Sequence, residues 1–166
     1  MAVQVGVNSY VTLDEAEQYF SERLYTDEWD NADAITKEKA LITACRRIER
    51  LTFKGLKADE TQILSFPRMY PNVGTPVSKE RGFNLDFSIG FIEQEDVPQE
   101  VKNAQCEEAL ALLKYGNNTR AKLQEQNVVK VDFGSVSEEY KGLGKLFSKE
   151  AYELLKPYIA GPVAII

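Results

Sequence analysis

The sequence predicts a mainly α-helical protein, a small bundle of about four to five helices with a β-hairpin and extended loop and terminal arms. Three observations carry that expectation. Segments 37–53 and 98–115 repeat apolar residues at helical spacing. Pro and Gly interrupt every run between residues 67 and 97. Val128–Phe133 is rich in β-branched residues, Gly134-Ser135 turns, and Val136–Tyr140 is placed to return as a second strand.

Val3–Val11 is short, apolar and broken by Gly6, which suits an extended arm or an edge strand. Thr12-Leu13-Asp14-Glu15 reads as a capping box. The helix it starts should end near Tyr25, with Leu13, Ala16, Phe20 and Leu24 on its inner stripe. Thr26–Ile35 reads as a polar connection around the lone Trp29, a ring expected to cap the edge of a core, with an interface anchor as the alternative.

The central helix is expected over Lys37–Phe53, closed by Gly55 in a left-handed conformation. Leu41, Ala44, Cys45, Ile48, Leu51 and Thr52 share one face. Arg46, Arg47, Arg50 and Lys54 fall largely on the rest of the circumference, where positive charge complements the helix C-terminus. Ile63, Leu64 and Phe66 should continue the apolar burial until Pro67. Asp59–Gln62 has the makings of one more helical turn.

Residues 67–97 form a connection of unusual length for a compact domain. Within it Phe83, Leu85, Phe87 and Ile89 alternate with Asn84, Asp86 and Ser88, a strand period. An isolated strand of that kind is a sticky edge and should pair with a neighbour or with its own hairpin. Pro98 begins the next helix, which Gly116 closes after a broad apolar face containing Val101, Cys106, Ala109, Leu110, Leu112 and Leu113. The hairpin follows, and Ser148 caps a last helix, Lys149–Ile159, with Ala151, Leu154, Leu155 and Tyr158 inward. Gly161–Ile166 leaves as an uncharged apolar tail. A single domain over 1–166 is expected, with loop 70–96 and tail 160–166 as arms.

The net charge of −6 and a pI near 4.9 argue against broad, unspecific phosphate binding. The charge is split: residues 1–35 hold eight acids and one Arg, whereas residues 36–58 hold seven bases and two acids. Such blocks pair internally or bring copies of the chain together head to tail. No basic, apolar leader opens the chain, and no run approaches the roughly 20 apolar residues of a membrane span. Cys45 and Cys106 lack metal-ligand spacing and fall on apolar faces, as core thiols in a reducing compartment would. The expectation is a soluble protein made in a cytoplasm, without a membrane partner.

There is no His, so the commonest general base and metal ligand is missing. Lys141-Gly142-Leu143-Gly144-Lys145 lacks the spacing of a phosphate loop. Glu107-Glu108 and Glu138-Glu139 read as solvated faces. No catalytic, cofactor-binding or metal-ligating residue is assigned, and an enzyme is not expected. Arg46, Arg47, Arg50 and Lys54, with Lys57, Phe53 and Phe66 nearby, form the candidate charged interface or nucleic-acid contact.

Asn8–Ala16 with Tyr19-Phe20, then Trp29, Ala40–Ala44 with Arg47-Ile48, Phe66-Pro67-Arg68, and Val97-Pro98 through Val101, Ala104 and Glu108–Leu113 occur in an order that resembles the phage and prophage DnaT-like single-stranded-DNA-binding proteins. That family often carries Trp where this chain has Phe53 and Phe66. The hairpin followed by a last helix is similar to the head–tail connector proteins (adaptor, head-completion) of tailed phages. The connector resemblance implies a virion protein assembled in the host cytoplasm, in a ring of itself, a dodecamer as is common among connectors. It would lie between the portal protein and a stopper or tail-completion protein, with double-stranded DNA passing through its lumen. It also implies subunit or portal contacts at Phe83, Leu85, Phe87 and Ile89, at Val129, Val131 and Phe133, and at Val163, Ile165 and Ile166. The connector is the preferred expectation, a DnaT-like single-stranded-DNA-binding module the alternative, and a tail-completion or other neck protein the third.

Overall fold

In a computed structural model of the chain, residues 2–72, 90–116, 130–133, 136–139 and 146–160 are described. Among them are five helices: α1 Leu13–Ser21, α2 Asp27–Asp30, α3 Ala34–Ile48, α4 Gln99–Tyr115 and α5 Lys149–Leu155. Strands β1 Leu56–Lys57, β2 Arg68–Asn72 and β3 Gly90–Glu93 form one antiparallel sheet in that order. Strands β4 Lys130–Phe133 and β5 Val136–Glu139 form the expected hairpin. The fold is thus mainly α, a small helical domain with minor sheets. No helix among the described residues is long and apolar enough to cross a membrane.

The local start signals act as written. The Thr12 side chain accepts from Glu15 N, and the Glu15 carboxylate accepts from Thr12 N. Ser148 accepts from Ala151 N at the head of α5. Helix α3 begins earlier than expected because Asp33 accepts from Thr36 N and caps it. The same helix stops at Ile48, so Leu51–Phe53 lie beyond it, with Phe53 in an antiparallel bridge to Ile159. Gly55 is left-handed, φ +74°, but it serves the sheet rather than the helix end. A Cβ there would stand 2.3 Å from the Met69 carbonyl oxygen.

Helix α4 is the hub, packed between α3 and α5 and touched by α1 and α2. Two apolar clusters lie along it. Toward its N-terminus, Val101 and Ala104 meet Cys45, Ile48, Phe53, Leu64, Phe66, Ala151 and Leu155. Toward its C-terminus, Cys106, Ala109 and Leu110 meet Val11, Phe20, Trp29, Ala40, Leu41 and Ala44. Trp29 is fully buried, sits on the short helix α2 rather than in a loop, and donates Nε1–H to Glu17.

Several expectations fail here. Helix α1 ends at Ser21, so Leu24 leaves the inner stripe and is exposed. Ile63 is exposed while Leu64 and Phe66 are buried, because the chain turns between Asp59 and Gln62. The long connection is not unstructured at its ends: Arg68, directly after Pro67, opens β2, and β2 pairs with β3, Tyr70 opposite Ile92.

Candidate nucleic-acid interface

The bases of α3 divide by face. Lys39, Thr43 and Arg46 follow one another at helical spacing, Arg50 continues the line in the turn beyond Ile48, and all four are exposed. At the usual helical rise, Lys39 to Arg46 is about 10 Å and Arg46 to Arg50 about 6 Å. The result is a narrow basic stripe on the side of α3 that faces away from α4.

Arg47, one residue from Arg46, is not part of it. It is buried, and its Nε donates to Glu108 Oε1 at 2.7 Å. Its guanidinium stacks on the Phe147 ring, 4.0 Å from the centroid. Glu108 is fully buried and also accepts from Phe147 N at 3.0 Å and Ser148 N at 2.8 Å. Burial raises the Glu108 pKa, against the lowering from the two backbone N–H groups and Arg47. This group clamps the start of α5 to the α3–α4 seam. Glu107 is buried as well, accepting from Tyr19 Oη and pairing with Arg23, both at 2.6 Å. The reading of Glu107-Glu108 as a solvated face is therefore overturned. Their partners come from elements distant in sequence and compensate the buried charge.

Lys54 keeps an exposed stem and donates Nζ to the Pro157 carbonyl at 2.9 Å. Phe53 and Phe66 do not form stacking platforms, since both are core residues with ring centroids 4.8 Å apart. Beside them lies a residue outside the sequence-based candidates, Arg68. Its guanidinium donates to the carbonyls of Lys54, Ser65, Gly55 and Phe53 and lies near both rings. The only sequence signal for it was its place after Phe66-Pro67, whose peptide bond is cis.

A polar cleft of about 420 Å³ separates α1 from α4, lined by Glu15, Gln18, Tyr19, Glu22, Lys102 and Asn103, among others. Burial opposes ionisation of Glu15, but hydrogen bonds from Lys102 and Thr12 outweigh it and lower the pKa. Both thiols are inert by environment: burial, then the nearby Glu49 for Cys45 and Glu107 for Cys106, pushes each up to about 12.

Of the expected interface residues, Phe83, Leu85, Phe87, Ile89, Val129, Val163, Ile165 and Ile166 lie outside the described residues. Val131 and Phe133 are on β4, in register with Glu138 and Val136 of β5.

The geometry defines a small helical domain with one basic edge, its aromatic core closed, and its buried carboxylates committed to structural partners. A family model described as "Putative DnaT-like ssDNA binding protein" matches residues 2–165, and the chain belongs to that family. No match is found among curated proteins or among solved structures.

Proposed function

We propose that the chain acts by binding rather than by catalysis, and that its ligand is the backbone of single-stranded DNA. The family match favours this ligand over the connector role. The observation that carries it is the outer stripe of α3, with Lys39, Arg46 and Arg50 in line and exposed. Cations in a row track phosphates without reading bases. The absence of His and the burial of both thiols fit a chain with little to catalyse with.

Binding of this kind is electrostatic and salt-sensitive. Three phosphate contacts on a single strand give a log–log salt slope of about −2. Fluorescence anisotropy of a labelled oligonucleotide, titrated across a salt series, tests the reading. Lys39→Glu with Arg46→Glu and Arg50→Glu should abolish binding. Wild-type protein that fails to bind at low salt, or a triple variant that binds equally well, overturns it.

A second reading, a head–tail connector subunit of the virion neck, is favoured by a different observation. The rings that base stacking uses, Trp29, Phe53 and Phe66, are buried. With these three rings closed inward, assembly through protein surfaces is the simpler use of the fold. Co-purification with a portal protein, together with no oligonucleotide binding at low salt, would place this reading first.

A further inference from the structure

Strands β4 and β5 hold four residues each, and among the described elements the main neighbour of each is the other. Two strands alone are marginal in water, and a third strand or a packed face is what holds such a ribbon. Among the described residues this sheet is β4–β5 only, so the outer edge of β4 offers backbone groups to a further strand. The register says which groups these are. Phe133 faces Val136 across two intervening residues, and the pair that closes so short a loop exchanges its hydrogen bonds. Pairs alternate along an antiparallel ladder. Phe133 and Val131 therefore bond inward to β5, and the N–H and C=O groups of Lys130 and Asp132 face outward.

That edge carries a charge pattern. β4 reads Lys130-Val131-Asp132-Phe133, with opposite charges two residues apart and so on one face of the ribbon. The other outer strands lack this: β3 and β5 carry acids only, Glu93 and Glu138 with Glu139, and β1 is two residues long. Two antiparallel copies of β4 can match their outward backbone groups about Lys130, about Val131 or about Asp132, since a slip of one residue turns those groups away. About Lys130 or Asp132 the axis sets like charges opposite each other. About Val131 each Lys130 stands opposite Asp132 of the second copy, and the two-fold axis makes that match twice. Lys130 against Asp132, Glu138 and Glu139 leaves each hairpin at −2, and the surplus sits on β5. With the two β4 strands in the middle, those acids lie at the outer edges of the joined sheet. Three strand spacings put them about 14 Å apart, beyond the screening length of about 8 Å at physiological salt.

We infer that two copies of this chain pair edge to edge through β4, antiparallel about Val131, so that two hairpins become one four-stranded sheet. The outward groups of Lys130 and Asp132 on one copy bond those of Asp132 and Lys130 on the other. An interface of this kind is isologous and closes at two copies, whereas a ring of many copies needs a heterologous contact. The inference therefore stands apart from the connector reading, and the α3 stripe takes no part in it. The competing arrangement, β4 of one copy on β5 of the next, is heterologous and continues past two copies. In the hairpin's own register it sets Asp132 opposite Ser137 rather than opposite a base.

Light scattering coupled to gel filtration of the full chain at physiological salt, from micromolar to millimolar concentration, tests it. The wild-type mass should rise to that of a dimer and stop there. Lys130→Asp sets acid against acid at both facing positions, and Asp132→Lys sets base against base, so each variant alone should stay monomeric. Their equal mixture places opposite charges at every facing position and should dimerise, which also shows that both variants still form the strand. Val131→Cys gives a readout independent of charge. Position 131 lies on the axis, in a non-hydrogen-bonded pair whose Cα atoms are about 4.5 Å apart, within disulfide reach. Mild oxidation should cross-link this variant into a dimer and leave Ser137→Cys on β5 uncross-linked, since Cys45 and Cys106 are buried. A wild-type monomer at every concentration, a mass that grows past the dimer, or charge variants that associate like wild type would each overturn the inference. So would a mixture that stays monomeric, or a Val131→Cys chain that does not cross-link.

Discussion

Arg46 and Arg47 are neighbours in sequence and stand about 100° apart around α3, and the helix sends them into opposite environments. Arg46 faces water on a stripe with Lys39. Arg47 faces the α4–α5 seam, bonded to Glu108 and stacked on Phe147. The inner seam holds structure together and the outer stripe contributes little to it. Arg46 on the outside keeps its charge in water, whereas Arg47 on the inside is committed to a partner that would otherwise be a buried, uncompensated carboxylate.

The largest effect should follow from breaking the inner seam. Glu108→Ala leaves the Arg47 guanidinium and the Phe147 and Ser148 N–H groups without their acceptor. Urea denaturation should report a loss of about 3–5 kcal/mol, the usual consequence of stranding one partner of a buried pair. Glu108→Gln keeps an acceptor oxygen and should lose less. It should also alter the pH profile. Burial raises the Glu108 pKa in the folded chain, so the folded state binds this proton more readily than the unfolded one. The Glu108 contribution therefore improves as pH falls from neutral through the raised pKa toward the ordinary carboxylate value. The stability difference between wild type and Glu108→Gln should widen in favour of wild type over that window; a difference flat in pH would contradict the assignment.

Next in size is Gly55→Ala. The substitution meets φ +74° and places a Cβ 2.3 Å from the Met69 carbonyl oxygen, so backbone has to move. A cost of about 2 kcal/mol is expected from strain of this kind, read as a lowered urea midpoint with an unchanged slope. Asp33→Ala removes the cap that starts α3 and should cost about 1 kcal/mol. If it costs nothing, Asp33 is not what fixes the start of that helix.

The same inside–outside division explains which parts of the fold were legible in the sequence. Thr12 with Glu15, and Ser148 with Ala151, are three residues apart, so each cap is complete within one turn of chain. Asp33 with Thr36 has the same form. Apolar spacing alone starts this helix at Lys37, since the repeat is clearest after that residue. The α3 and α4 faces were readable from spacing, and so was the β4–β5 hairpin. The fate of Glu107 and Glu108 was not. Adjacent carboxylates on a helix look solvated until Arg47, 61 residues away in the chain, and the head of α5, some 40 residues away, are brought to one of them. Arg68 is hidden for the same reason, since its carbonyl partners belong to a turn that only the fold assembles. On the candidate site, sequence spacing gave Arg46 and Arg50 their outward position, but it could not separate them from Arg47 without knowing which side α4 would occupy. The end of α1 at Ser21 has no comparable local signal, and Leu24 was misplaced with it.

The smallest effect on stability should come from the outer stripe, and it gives the sharpest test of the division. Lys39→Ala and Arg46→Ala touch exposed side chains of a helix whose packing lies elsewhere, so each should shift the urea midpoint by no more than about 0.5 kcal/mol. Binding should respond differently. Each alanine removes one cation from the row, and the salt slope for a labelled oligonucleotide should fall by about 0.7 per lost phosphate contact. Arg47→Ala should show the reverse pattern: a large loss of stability and, where the chain still folds, an unchanged salt slope. Equal slopes for Arg46→Ala and wild type would mean that the stripe does not touch the strand. A lowered slope in a folded Arg47→Ala variant would mean that the seam and the stripe are coupled, and that the inner and outer faces of α3 do not work independently.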